Sequence, residues 1–235
     1  MASLHPLQKQ LRERADQERA EQVARFFKTK KGEYGAGDRF LGIRVPDIRK
    51  LVRIGKDCGV TEVLSILRYG FHEERLLAVL LLVQLYSRGD AELQAGVYSA
   101  YLAHTRCINN WDLVDVSAPK IVGAHLKNRS RKPLFVLAKS PDLWERRIAI
   151  LATFDFIRSG DFHDTMRLSR LLLHDQHDLI HKAVGWMLRE VGKRDRQCAE
   201  AFLEQHYTVM PRTMLRYAIE KFPAQRRKAY LLGRV

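Results

Sequence analysis

The sequence predicts an all-α fold, a solenoid of stacked helical hairpins with a basic groove on its concave side. Three observations predict it. Nearly every segment has helical period, and none sustains the two-residue alternation of a half-buried strand. The helical segments repeat at about 35 residues, a length that holds two helices and their turns. The chain also carries a formal net charge of +14, from 41 Lys and Arg against 27 Asp and Glu.

The elements follow in order. "LQKQLRERADQERAEQVARFFK" predicts one long amphipathic first helix, part of a helical cap over roughly residues 1–30. "GEYGAGDRFLGIRVP" reads as a glycine-rich loop. Pro46 suits a first helical turn and opens a helix through "DIRKLVRIGK". Further starts are expected at Thr61, His72–Glu73, Asn110, Pro141–Asp142, Asp178 and Pro211. Stops are expected at "YGF", "RGD", "RSGD" and "VGKRD", where glycine or a charged cluster interrupts the apolar pattern.

The repeat is read from "ERLLAVLLL", "ERRIAILAT" and "LRYAIEKF". Matching their small residues aligns Ala78, Ala149 and Ala218, with gaps of 71 and 69. Val184 lies 35 residues after Ala149, and Leu113 lies 36 before it, filling the remaining slots. The tetratricopeptide signature is absent, and a degenerate HEAT-like solenoid fits the period best. One domain over residues 1–235 is expected. Equivalent positions in such a stack line one surface. Trp111 and Asp115 are one helical turn apart. Arg147 lies 36 residues after Trp111, and Trp186 lies 39 after Arg147. All four are therefore expected on one concave wall.

Composition bounds the function. At 46% hydrophobic and 29% charged residues the chain is an ordinary globular protein with an extraordinary charge, its pI near 9.9. That excess points to a polyanion, nucleic acid or an anionic membrane surface. The most apolar run, "LLAVLLLVQLY", is too short to span a bilayer and reads as a buried helix. The N-terminus lacks the apolar core of a signal peptide. Cys58, Cys107 and Cys198 are too scattered for a metal cluster or disulfide framework, so a cytoplasmic location is expected. Basic clusters recur at "IRKLVR", "KNRSRK", "ERR", "GKRDR" and "QRRK", several at helix ends, where a solenoid has its rims. Two basic rims suit duplex DNA. Candidate phosphate contacts are Arg39, Arg44, Lys182, Arg189, Lys193, Arg212 and Arg216.

The chemistry-bearing candidates are few. Trp144 opens a helix among apolar neighbours and reads as core. Trp111 sits at a helix start behind Asn109 and Asn110, either of which can cap. Asp112 fits the first turn, where a carboxylate meets the positive end of the helix dipole. Asp115 lies a turn deeper between Val114 and Val116, so it is either paired with an arginine or held for chemistry. "HDQHDLIH" spaces His174, His177 and His181 like zinc ligands, but lacks a fourth ligand; capping by Asp178 and exposed histidines is the simpler reading, and no metal is expected.

"FLGIRVPDIRKL", "NWDLVDVSAPKIVG", "LWERRIAIL" and "KAVGWMLREVGK" occur in this order. With them, nearly the whole chain resembles the AlkD-type DNA alkylation-repair family, DNA glycosylases built on HEAT-like repeats. The resemblance implies hydrolysis of the N-glycosidic bond of cationic N3- and N7-alkylpurines in duplex DNA. It implies Asp115 as the catalytic carboxylate, and Trp111, Trp186 and Arg147 as substrate-binding residues. An aromatic of the first helix in some members falls near Phe26. A monofunctional enzyme, monomeric and without cofactor, is expected, leaving an abasic site. The chemistry suits the residues. A cationic purine is a good leaving group and needs no general acid, while a carboxylate near C1′ stabilises the positive charge that develops on the sugar. The alternative is a noncatalytic HEAT-repeat binder of damaged or branched DNA; a protein-binding scaffold would not need the charge.

Overall fold

The computed structural model describes residues 4–68 and 70–235, and every regular element among them is helical. They fall into two compact units, divided between Ile121 and Val122. The first contains α1 (Pro6–Arg12), α2 (Gln17–Phe26), α3 (Val45–Ile54), α4 (Val60–Arg68), α5 (His72–Arg88), α6 (Ala91–Ala103) and α7 (Trp111–Ala118). A π-helical turn, Pro119–Gly123, carries the chain into the second. That unit contains α8 (Ala124–Leu126), α9 (Lys132–Leu137), α10 (Leu143–Arg158), α11 (His163–Leu171), α12 (Asp178–Gly192), α13 (Arg196–His206), α14 (Arg212–Ala218) and α15 (Ala224–Leu232).

The expected starts coincide with α3, α4, α5, α7, α10, α12 and α14. Of the "YGF" stop, Tyr69 lies outside the described residues. The first helix is a correction. Residues 7–28 do not form one helix; the chain breaks over residues 13–16. Asp16 explains the break. Its carboxylate accepts the Arg19 N–H at 3.0 Å and caps α2, and its own N–H donates to Leu41 O at 2.8 Å. Aspartate competes with the backbone inside a helix and is favoured at its start.

In the first unit α5 is the centre, with α3, α4, α6 and α7 packed around it. Its apolar run is buried on nearly every side, as a helix surrounded by others must be. No helix among the described residues is long and apolar enough to cross a membrane. In the second unit α10, α12 and α14 lie side by side, and α9, α11 and α13 pack against them. All five repeat positions, Ala78, Leu113, Ala149, Val184 and Ala218, are buried. Gly185 shows why small residues matter here: a Cβ on it would collide with the Met214 carbonyl, so its absence lets α12 and α14 meet closely.

Candidate active site

Trp111 and Asp115 lie on α7, whose start is fixed by buried polar groups. Asn110 is the cap: its side-chain oxygen accepts the Trp111 N–H at 2.9 Å, and its amide donates to Asp38 Oδ2 at 3.4 Å. Asp112 occupies the first turn, as expected, but it also has a partner that sequence reasoning missed. His72 Nε2 lies 2.8 Å from Asp112 Oδ2, and His72 Nδ1 lies 3.0 Å from Asp38 Oδ2. Arg75 donates to the other Asp38 oxygen at 2.6 Å. Burial opposes a charge on His72. The hydrogen bonds to Asp112 and Asp38, with their negative charges, outweigh it and raise its pKa to about 9. Burial likewise opposes the Asp38 charge, and the His72 bond and Arg75 overcome it, holding that carboxyl below its ordinary range.

The same imidazolium supports an aromatic stack. Its ring stacks on Phe40, with centroids 4.6 Å apart, and lies 4.8 Å from Phe27. Phe27 in turn stacks on Trp111 at 5.2 Å with ring planes only 10° apart. Phe26 meets the indole edge-on at 6.1 Å and is 67% exposed. One face of Trp111 is thus backed by Phe27, leaving the indole half-buried.

The two residues after His72 anchor the rest of this region. Glu73 is buried and accepts the N–H groups of Leu41, Gly42 and Ile43 at 2.9, 2.8 and 3.2 Å. Gly42 has φ +79°, and a Cβ on it would collide with the Asp16 carbonyl, so glycine is required where this loop meets the start of α2. Glu74, fully buried, takes two bonds from Arg12 of α1, at 2.8 and 3.2 Å. Charges at the head of an apolar helix are too costly to bury without partners, and each of these three has them.

Asp115 is half-buried, one turn beyond Trp111. Behind its helix lies buried Tyr101, whose hydroxyl pairs with Ser117 Oγ at 2.9 Å. Burial chiefly, eased by that bond and reinforced by the Asp115 charge, pushes the Tyr101 phenol well above its ordinary pKa.

Arg147 and Trp186 belong to the second unit. Arg147, on α10, is buried and donates to Leu179 O at the start of α12, at 2.6 Å. Trp186, on α12, is half-buried; Phe154 lies 6.0 Å away, and its indole N–H donates to Glu190 Oε1 at 3.3 Å. Glu190 also accepts from Lys193 at 2.6 Å and Arg194 at 3.3 Å. Burial opposes its charge, and the bonds from Lys193, Arg194 and Trp186 with the Lys193 charge together outweigh that and lower its pKa. Trp144 is buried, as a core tryptophan should be.

The candidate phosphate contacts differ in their freedom. Arg44 and Arg216 are exposed. Arg39 lies over the Phe71 ring at 4.7 Å, and Arg212 donates to Leu231 O at 3.1 Å. Lys182 pairs with Asp178 at 2.7 Å, Lys193 with Glu190, and Arg189 with Glu220. The last three would have to release or share a carboxylate before meeting a phosphate. Among the histidines, His177 rather than Asp178 caps α12, its Nδ1 accepting the Leu179 N–H at 3.1 Å. His181 bonds the Asp175 carbonyl.

Comparison with known proteins places the chain in a family. No curated protein matches the chain. Solved structures resemble it, among them the following two. A predicted DNA alkylation repair enzyme from Enterococcus faecalis has a TM-score of 0.68 at 17% identity, over 89% of this chain and 97% of its own. The protein smu.31 from Streptococcus mutans has a TM-score of 0.50 at 18% identity, over 92% and 95%. At such identities the likeness is one of fold. Residues 7–222 match the family model described as DNA alkylation repair enzyme. That match covers most of the chain, which therefore belongs to the DNA alkylation repair enzyme family.

Proposed function

We propose that this protein is a monofunctional DNA glycosylase that releases cationic N3- and N7-alkylpurines from duplex DNA and leaves an abasic site. The observation that carries the proposal is the pair on α7: a half-buried indole and, one turn on, a half-buried carboxylate, on a helix whose start is locked by Asn110, His72 and Asp38. Family membership supports a role in alkylation repair.

Asp115 stabilises the positive charge that grows on the deoxyribose as the glycosidic bond stretches, and it orients the attacking water. Trp111 and Trp186 hold the cationic nucleotide by ring contacts of about 0.5–2 kcal/mol each. Arg147 binds a flanking phosphate with its planar fork. The alkylated base departs neutral, so the step needs neither a general acid nor a lysine nucleophile. A monomer on duplex DNA suffices.

The test is incubation with methylated duplex DNA and measurement of released 7-methylguanine and 3-methyladenine. Release by the wild type is expected, with Asp115→Asn slower by at least about 10²-fold. Equal release by both proteins removes Asp115 from the chemistry. Absence of release from any alkylated duplex, with binding retained, leaves a noncatalytic binder of damaged DNA.

A further inference from the structure

The second unit holds a basic cleft of about 980 Å³ that none of the candidate site residues lines. It lies along α9, α11 and the "KNRSRK" turn before α9, whereas Arg147 and Trp186 are carried by α10 and α12. Six lysines and arginines face it, against a single carboxylate, Asp164.

These charges are unequally compensated. Arg131 is neutralised by the fold: it pairs with Asp161 at 2.6 Å and Asp164 at 3.2 Å, and lies 3.9 Å over the Phe156 ring. Arg167 shares Asp164 at 3.1 Å and lies over Phe135. The other four, Arg129, Lys132, Lys139 and Arg170, form no ion pair with a carboxylate among the described residues. Arg129 donates to the His125 carbonyl, and Arg170 faces the His206 ring. Four uncompensated cations around one cleft repel one another, and a bound polyanion relieves that repulsion.

We propose that this cleft is a second nucleic-acid contact, which holds backbone phosphates of DNA away from the nucleotide at the candidate site. Arginine forks match phosphate oxygens, and lysines add point charges without reading sequence. The cations are spread over two helices and the turns that flank α9, as tracking a backbone requires. A small anion needs only one or two of them. Binding here is independent of excision chemistry.

Lysine acetylation footprinting of the full-length protein tests it. With undamaged duplex DNA, Lys132 and Lys139 should lose most of their reactivity; with inorganic phosphate at equal phosphate concentration, they should keep it. Protection by phosphate alone makes the cleft a small-anion site and overturns the proposal, as does protection by neither. A second measurement uses the triple variant Lys132→Gln, Lys139→Gln, Arg170→Gln, all at exposed positions. The plot of log K against log salt for duplex binding should become shallower by about 0.9 for each phosphate that is no longer neutralised, or about 2.7 in all. An unchanged slope overturns the proposal. Base release is a separate readout: its failure with the footprint intact removes the glycosylase reading and leaves this one standing.

Discussion

The two tryptophans of the candidate site are held by different physics. Trp111 rests on a buried stack, with Phe27 beneath it and the His72 imidazolium beneath that, clamped by Asp38 and Asp112. Trp186 is held by a partly exposed arrangement, its N–H on Glu190 and Glu190 on Lys193 and Arg194, both of which reach solvent. A buried charge with two partners fixes a geometry and makes it brittle. Glu190 is buried too, but both cations that pair with it reach solvent, so its geometry can be changed at less cost. The first region is built for position; the second can adjust.

Three changes probe this contrast. The largest effect is expected from His72→Ala, which leaves Asp112 without its partner and Asp38 with Arg75 and Asn110 only. Removing one member of a buried pair costs about 3–5 kcal/mol, read as the shift in urea unfolding. A cost near zero would mean that His72 merely fills space.

Next comes pH. The folded pKa of His72, about 9, stands above the ordinary histidine value of 6.5. Its contribution is therefore complete below about pH 6.5, declines above it, and is lost once pH passes 9. Asp38 acts oppositely, since its lowered pKa gives stability that disappears only in acid. Thermal unfolding of the wild type should lose on the order of 3 kcal/mol between pH 6.5 and 9.5, and His72→Gln should lack that loss. Parallel curves for the two proteins would break the assignment. The smallest effect is expected from Glu190→Gln, about 1 kcal/mol in stability, since the amide keeps the buried shape and both partner cations reach solvent. Its base release should stay within about twofold. If Glu190→Gln costs as much as His72→Ala, the contrast between the regions is gone.

What the sequence made legible follows from distance along the chain. Caps, prolines and glycines act within a few residues, so most helix starts could be read directly, and Asn110 with its helix was among them. The aligned small residues repeat in sequence, and every one is buried. The break at Asp16 was hidden because the amphipathic pattern runs straight through it; the Leu41 carbonyl that fixes it lies 25 residues downstream, 41 − 16 in the numbering. "HEE" reads as an ordinary helix start, yet each of its residues is explained by partners 30 to 62 residues away. The pairs of Lys182 with Asp178 and of Lys193 with Glu190 lie within one helical turn, whereas the Arg189–Glu220 pair spans 31 residues and leaves no trace in the residue types. Charge counts show how much positive charge there is, and only the fold shows how much of it remains unpaired.

The π-helical turn at Pro119–Gly123 bears on how such a chain can change length. A π turn carries one residue more than an α turn. The interval that contains it, from Leu113 to Ala149, is 36 residues, one more than the 35 from Ala149 to Val184. The surplus residue therefore fits inside a helix, with no loop needed to absorb it. Gly123 follows the same logic, since a Cβ there would collide with the Ala152 carbonyl of α10. An insertion can thus be inherited as a local swelling of one turn, and a single deletion within 119–123 is the change that would return it to an α-helix.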